Sequence, residues 1–256
     1  MGTRWMALAL MVAWPAESWA QAATDSTVPP ASTAPEPTYN VTWWQTAVAV
    51  GGLAALSLAD KPINTAIQNM RTPTTDDIAD VLQYFGSPVV FVPATLVPIL
   101  VGLISHNENL TMSGVRIGSS LLLAGATAGV LKYTVGRWRP NESSTQYKFS
   151  PVSTSHDSWP SGHTTMAFAL ASSASYEIHR TWATVGLYTL AAGTGWARMN
   201  NDKHWLTDVG GGVLIGITSA KFVDRQWKVF GITAPSFLFS SEESSVSFNI
   251  SMPPIR

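Results

Sequence analysis

The sequence predicts a mainly α protein: a helical bundle of about six core helices, with a small β-hairpin at the C-terminus. Three observations lead there. Apolar runs occupy 43–59, 89–104, 114–131, 165–178, 181–197 and 206–222, separated by polar connections. Most are long enough for helices, and Ala, Leu, Met and Gly outnumber strand formers in several of them. The chain has 256 residues, enough to bury a large core as one main domain with tails.

The N-terminus reads as a secretory signal over residues 1–20. Arg4 supplies positive charge, "WMALALMVAW" is a short apolar stretch, and Ser18 and Ala20 are the small residues ahead of a cleavage site. Ten apolar residues are too few to span a bilayer. Residues 21–42 are rich in Pro, Ser, Thr and Ala and have little to bury, so a disordered linker is expected. The helical domain is expected over 43–228. Within it "TTDDIADVLQYFG", from Thr74, is an amphipathic helix with acidic residues near its start and Gly86 after its end. In the tail, 229–256, Val246, Phe248 and Ile250 alternate with polar residues and give the expected hairpin.

Composition narrows the function classes. The formal net charge is −1, which leaves no basic stripe for nucleic acid. There is no cysteine, so neither disulfides nor thiol chemistry can contribute. Charged residues make up only 12% of the chain, so those beside apolar runs stand out.

Three junctions between a helix and a connection carry them. The first is "KYTVGRWRP", Lys132 to Pro140, where Lys132 and Arg139 stand seven positions apart, about two helical turns, before Pro140 halts the helix. The second is "WPSGH" ahead of the 165–178 run. Here Gly162 lets the backbone approach a ligand, Ser161 offers a hydroxyl, and the first helical amides form an anion site beside His163. The third is "ARMNNDKHWLTD", Ala197 to Asp208. His204 and Asp208 would lie one helical turn apart, so the carboxylate can hold one ring nitrogen and leave the other free to attack; Arg198 lies six residues earlier. Singly, each junction has an ordinary structural explanation: a solvated basic helix end, a Ser/Gly helix start, a surface His–Asp pair. Together they offer dense donors around an oxyanion, with no carboxylate cluster to hold a metal, and so argue for phosphoryl chemistry. His106 and His179 read as helix-terminal residues. His156 and Asp157, in "STSHDSWP", could border a substrate pocket.

Lys132–x6–Arg139–Pro140, Pro160–Ser161–Gly162–His163 and Arg198–x5–His204–x3–Asp208 resemble, in order and spacing, the three signature motifs of the type 2 phosphatidic acid phosphatase and vanadium haloperoxidase superfamily. Ala197 departs from the serine usual before the arginine. The resemblance implies a metal-independent, acid-type phosphatase of phosphate monoesters or diphosphates, lipid-linked or soluble. His204 would attack phosphorus and become a phosphohistidine, oriented by Asp208. His163 would protonate the leaving oxygen. Lys132, Arg139, Arg198, Ser161 and the Gly162 amide would hold the phosphoryl oxygens. No cofactor is implied, although vanadate, a phosphate mimic, fits the same cage, and a vanadate-dependent haloperoxidase is the alternative. The partner implied is a phosphorylated small-molecule or lipid substrate.

Family members are often six-span membrane enzymes. Here several runs are shorter than the ~20 residues that a span needs. A cleaved signal with three crossings before Lys132 would also leave that residue in the cytoplasm. The sequence therefore points to an exported, periplasmic enzyme, soluble or membrane-associated, rather than to a polytopic one.

Overall fold

The computed structural model describes residues 35–236. The expected signal peptide, the linker up to residue 34 and the expected C-terminal hairpin lie outside the described residues. Eight helical segments follow strand β1 (Tyr39–Val41): α1 (Trp43–Leu56), α2 (Asp60–Asn69), α3 (Pro73–Leu82), α4 (Pro88–Ile104), α5 (Glu108–Val135), α6 (Gly162–Ile178), α7 (Thr181–Asn200) and α8 (Leu206–Val223), with β2 (Trp227–Val229) after them. Single 3-10 turns join α1 to α2 and α3 to α4. The helical stretches therefore number six: 43–69, 73–104, 108–135, 162–178, 181–200 and 206–223.

The central helix is α6, with ten of its seventeen residues buried. Its small residues Ala167, Ala169 and Ala171, with Phe168 and Leu170, pack against Ile117, Leu121 and Ala124 of α5 and Leu187 and Ala191 of α7. Alanine on a helix face brings neighbouring axes close, and that closeness lets four helix ends share one site. At the other end of the bundle Arg116 of α5 makes a two-point ion pair with Glu177 of α6, at 2.6 and 2.7 Å, which ties the two helices together.

β1 and β2 pair in parallel, Tyr39 opposite Trp227 and Val41 opposite Val229. The end of the expected disordered linker is thus fixed to the domain. Its backbone donors and acceptors find partners across 188 positions of sequence, a pairing that local composition does not encode.

The outer surface overturns the expected localisation. Trp43 (75%), Ile104 (81%) and Leu122 (75%) are largely exposed, as are Val48, Leu58, Val97, Leu100 and Val185. Four helical stretches, 43–69, 73–104, 108–135 and 206–223, are long and apolar enough to cross a membrane. Only 6% and 11% of the most apolar windows of the first two are buried within the protein. A water-soluble chain does not leave so continuous an apolar face uncovered, whereas a bilayer covers it at no cost. The chain is a polytopic membrane protein, not a soluble or peripheral periplasmic one. The error came from counting apolar runs: α3 and α4 continue one another across the Gln83–Gly86 turn, and α5 runs for 28 residues, so the helical stretches are longer than the runs they contain.

Candidate active site

The end of α5 builds the first wall. The helix stops at Val135, because Gly136 adopts a left-handed conformation (φ 59°). A side chain there would also collide with the Ser150 carbonyl. Lys132 remains on the last helical turn. Arg139 does not lie two turns further along that helix, as the spacing suggested; it sits in the extended segment after the turn. Leaving the helix four residues before Pro140 lets the two cations close on one point from different directions.

The start of α6 builds the second wall. Ser161 is the N-cap, so the helix begins at Gly162, three residues earlier than the apolar run suggested. The Ser161 N–H donates to the Asp208 carbonyl at 2.9 Å, and its carbonyl receives Thr165 N–H. Its hydroxyl accepts from Thr164 Oγ1 at 2.9 Å, leaving its own proton to donate. The helix start is therefore anchored, with the amides of its first turn open. A Cβ at Gly162 would meet only Lys132 Cε, at ordinary contact distance, so this position faces the lysine. Together Lys132, Gly162 and His163 line a cavity of about 260 Å³.

The third wall is the start of α8. His204 lies before the helix, not on it. Asp208 caps the helix, its Oδ2 accepting the Trp205 N–H at 2.8 Å. The same oxygen accepts Ser158 Oγ at 2.5 Å and faces His204 Nδ1 at 3.6 Å. That last separation is an ion-pair distance rather than a hydrogen bond, so the Asp208–His204 relation is looser than the i, i+4 spacing implied. Arg198, on the last turn of α7, donates Nη1 to Gln83 at 2.7 Å, while its buried Nε has no partner.

These groups share one field. His163 is lowered to about 4, first by burial and then by the charges of Arg198, His204, Lys132 and Arg139. His204 is also lowered to about 4, first by burial, with Lys132 and Arg198 opposing the Asp208 carboxylate. Both imidazoles are therefore neutral at neutral pH, and His204 carries a free lone pair. The three motifs, 76 positions from Lys132 to Asp208, meet around one imidazole.

Two residues of the site escaped the sequence. Arg137 is buried and donates to Asp208 Oδ1 and Thr207 Oγ1 at 2.6 Å each, and to Asp60 Oδ2 at 2.6 Å. Asp60, at the start of α2, also accepts Thr207 N–H at 2.8 Å and Thr207 Oγ1 at 2.6 Å. Their charge was the only signal, Asp60 just after the 43–59 apolar run and Arg137 within "KYTVGRWRP", and nothing local says that they meet. His156 stacks on Trp138, with ring centroids 3.6 Å apart. Asp157 reaches the cage: Arg139 Nη2 donates to its Oδ1 at 2.7 Å, and Lys132 lies 3.7 Å from its Oδ2. His106 and His179 take left-handed conformations at helix ends, as their positions suggested.

A wider apolar cavity of about 470 Å³ adjoins the site. It lies between α4 and α5, is lined by Val92, Leu96, Gly118 and Leu122, and shares Phe91, Gly125 and Met166 with the smaller one.

Comparison with known proteins agrees with this arrangement. The family model of the PAP2 superfamily matches residues 113–231. A lipid A 1-phosphatase of Porphyromonas gingivalis is 36% identical over 99 residues, which is 38% of this chain and 20% of that protein. The match thus spans about a fifth of the relative's length. Among solved structures, LpxE of Aquifex aeolicus superposes with a TM-score of 0.51 at 24% identity, covering 63% of this chain and 92% of that one. A transmembrane PAP2-type phosphatidylglycerolphosphate phosphatase of Bacillus subtilis gives 0.57 at 22% identity, covering 70% and 91%. At these identities the two structures speak for the fold. Residues 113–231, the stretch that matches the PAP2 superfamily model, hold all three motifs.

Proposed function

We propose that the protein is a membrane phosphatase that hydrolyses lipid-linked phosphate monoesters or diphosphates through a phosphohistidine intermediate, without a metal. The observation that carries this reading is the convergence of Lys132, Arg139, Arg198 and the open α6 N-terminus on two neutral histidines.

The lone pair of His204 Nε2 attacks phosphorus as the bond to the leaving oxygen breaks. His163, protonated by the monoanionic substrate, delivers that proton to the leaving oxygen. Arg139, Arg198, Lys132, the Ser161 hydroxyl and the Gly162 amide donate to the phosphoryl oxygens, and these contacts strengthen as negative charge develops. In the second half, water gives a proton to His163 and its oxygen attacks phosphorus. The His204–phosphorus bond breaks and phosphate leaves. Asp208 keeps the Nδ1 side of His204 turned toward a carboxylate while positive charge builds on the ring.

The apolar cavity between α4 and α5 supports a lipid substrate, because it continues from Lys132 and His163 into the membrane-embedded flank of the bundle. The relative's name, a lipid A 1-phosphatase, points the same way. The test is a panel of lipid and soluble phosphates on detergent-purified protein with chelator present, followed by an alkaline denaturing quench of enzyme turning over radiolabelled substrate. An alkali-stable, acid-labile phosphoenzyme is expected; turnover without one rules out the covalent route, and turnover abolished by chelator rules out the metal-free one.

A further inference from the structure

Asp157 occupies ground that a substrate would need. Arg139 spends both Nε (3.1 Å) and Nη2 (2.7 Å) on a single carboxylate oxygen, Asp157 Oδ1. Lys132 donates to the Asp157 carbonyl and lies within ion-pair distance of Oδ2. Two of the three cage cations are thus engaged by one internal anion. The third, Arg198, meets only the neutral amide of Gln83 and keeps an unpartnered buried Nε.

We infer that Asp157 is an internal competitor, a carboxylate that stands in for the phosphoryl group and must swing out before substrate binds. The inference rests on the phosphatase reading above. The two cations come from the end of α5 and the rigid segment beyond it. Asp157 belongs to the connection between Glu142 and Ser161 and has a side chain 41% exposed, against 21% for Lys132 and 25% for Arg139. The backbone just after it is fixed: Ser158 N–H donates to the Arg137 carbonyl at 3.0 Å, and Ser158 Oγ holds Asp208. Rotation of one side chain therefore frees Arg139 and removes the carboxylate from Lys132 without disturbing Asp208, while the Asp157 carbonyl keeps its bond to Lys132. Burial would raise the Asp157 carboxyl, but Lys132 and Arg139 outweigh it and hold it below the usual range, so the competitor stays charged.

Apparent affinity for any anion falls by the fraction of protein in which the cage is open. Removing the carboxylate should restore it. The full-length protein in detergent is titrated calorimetrically with inorganic phosphate and with vanadate, for wild type, Asp157→Asn, Asp157→Ala and Asp157→Glu, with thermal unfolding as the check on folding. Asparagine keeps the shape and an acceptor for Arg139 but not the charge. Both neutral variants are expected to bind each anion about tenfold more tightly, the worth of one ion pair of about 1.4 kcal/mol, and Asp157→Glu to bind no more tightly than wild type. Unchanged or weaker binding by folded Asp157→Asn and Asp157→Ala overturns the inference and makes Asp157 a residue that positions the two cations. Wild-type protein that binds neither anion and turns over no phosphate would instead overturn the phosphatase reading itself, and this inference with it.

Discussion

Arg137 and Asp208 form a fully buried ion pair, 2.6 Å between Nη1 and Oδ1, at the centre of the chemistry. The same guanidinium reaches Asp60, 77 positions earlier, at 2.6 Å. One planar donor thereby fixes the carboxylate beside His204 and the start of α2 in a single geometry, which a lysine cannot do.

Truncating Arg137 should therefore cost more than a surface pair would. Arg137→Ala leaves two carboxylates buried without a counter-charge, a loss of about 3–5 kcal/mol. Thermal unfolding in detergent should show a large drop. Arg137→Lys should recover part of the stability but little activity, since one ammonium cannot bridge both acids. Wild-type stability in Arg137→Ala would mean that the network is absent.

His204→Ala should abolish turnover while the helical signal and unfolding midpoint stay close to wild type. His163→Ala should be selective, losing most rate on alkyl phosphates, whose leaving oxygen needs a proton, and less on aryl phosphates. Equal losses on both classes would remove His163 from the role of acid.

Arg139→Ala and Arg198→Ala each delete a donor aimed at developing charge, and kcat should fall by about 100- to 1000-fold. A change confined to KM would assign these arginines to ground-state binding alone.

The pH profile should be acidic. With His204 lowered to about 4, the nucleophile is lost as pH falls toward that value. His163, also lowered to about 4, is neutral above it, so the proton for the leaving oxygen must arrive with the substrate. Phosphate monoesters lose that proton at about pH 6. Thus kcat/KM should be greatest between about pH 4 and about pH 6, and a profile still rising at pH 8 would contradict the assignment.

Gly86 lies against the catalytic helix. A Cβ there would collide with the carbonyl of His163 and approach Thr194 Cγ2 to 3.0 Å. Gly86→Ala should displace the start of α6 and lower kcat with only a modest effect on unfolding, whereas Gly186→Ala, where a Cβ meets nothing, should be silent in both assays.

The sequence by itself determined the helical class. Three motifs in fixed order, which carry both spacing and residue type, also singled out Lys132, Arg139, Ser161, Gly162, His163, Arg198, His204 and Asp208 as the candidates for chemistry. Tertiary structure alone decided how they meet. Arg139 leaves its helix at Gly136, and His204 precedes α8 instead of riding on it, so neither approaches by the helical register that spacing suggested. Asp60 looked like an ordinary acid and Asp157 only like a neighbour of a pocket until folding placed them against Arg137 and Arg139. Solvent exposure is equally a property of the fold. An apolar run reads alike whether it faces a core or a bilayer, and only packing showed Trp43, Leu122 and Ile104 turned outward to lipid. Local sequence fixes what a side chain can do; which partner and which solvent it meets is set by contacts between segments far apart along the chain.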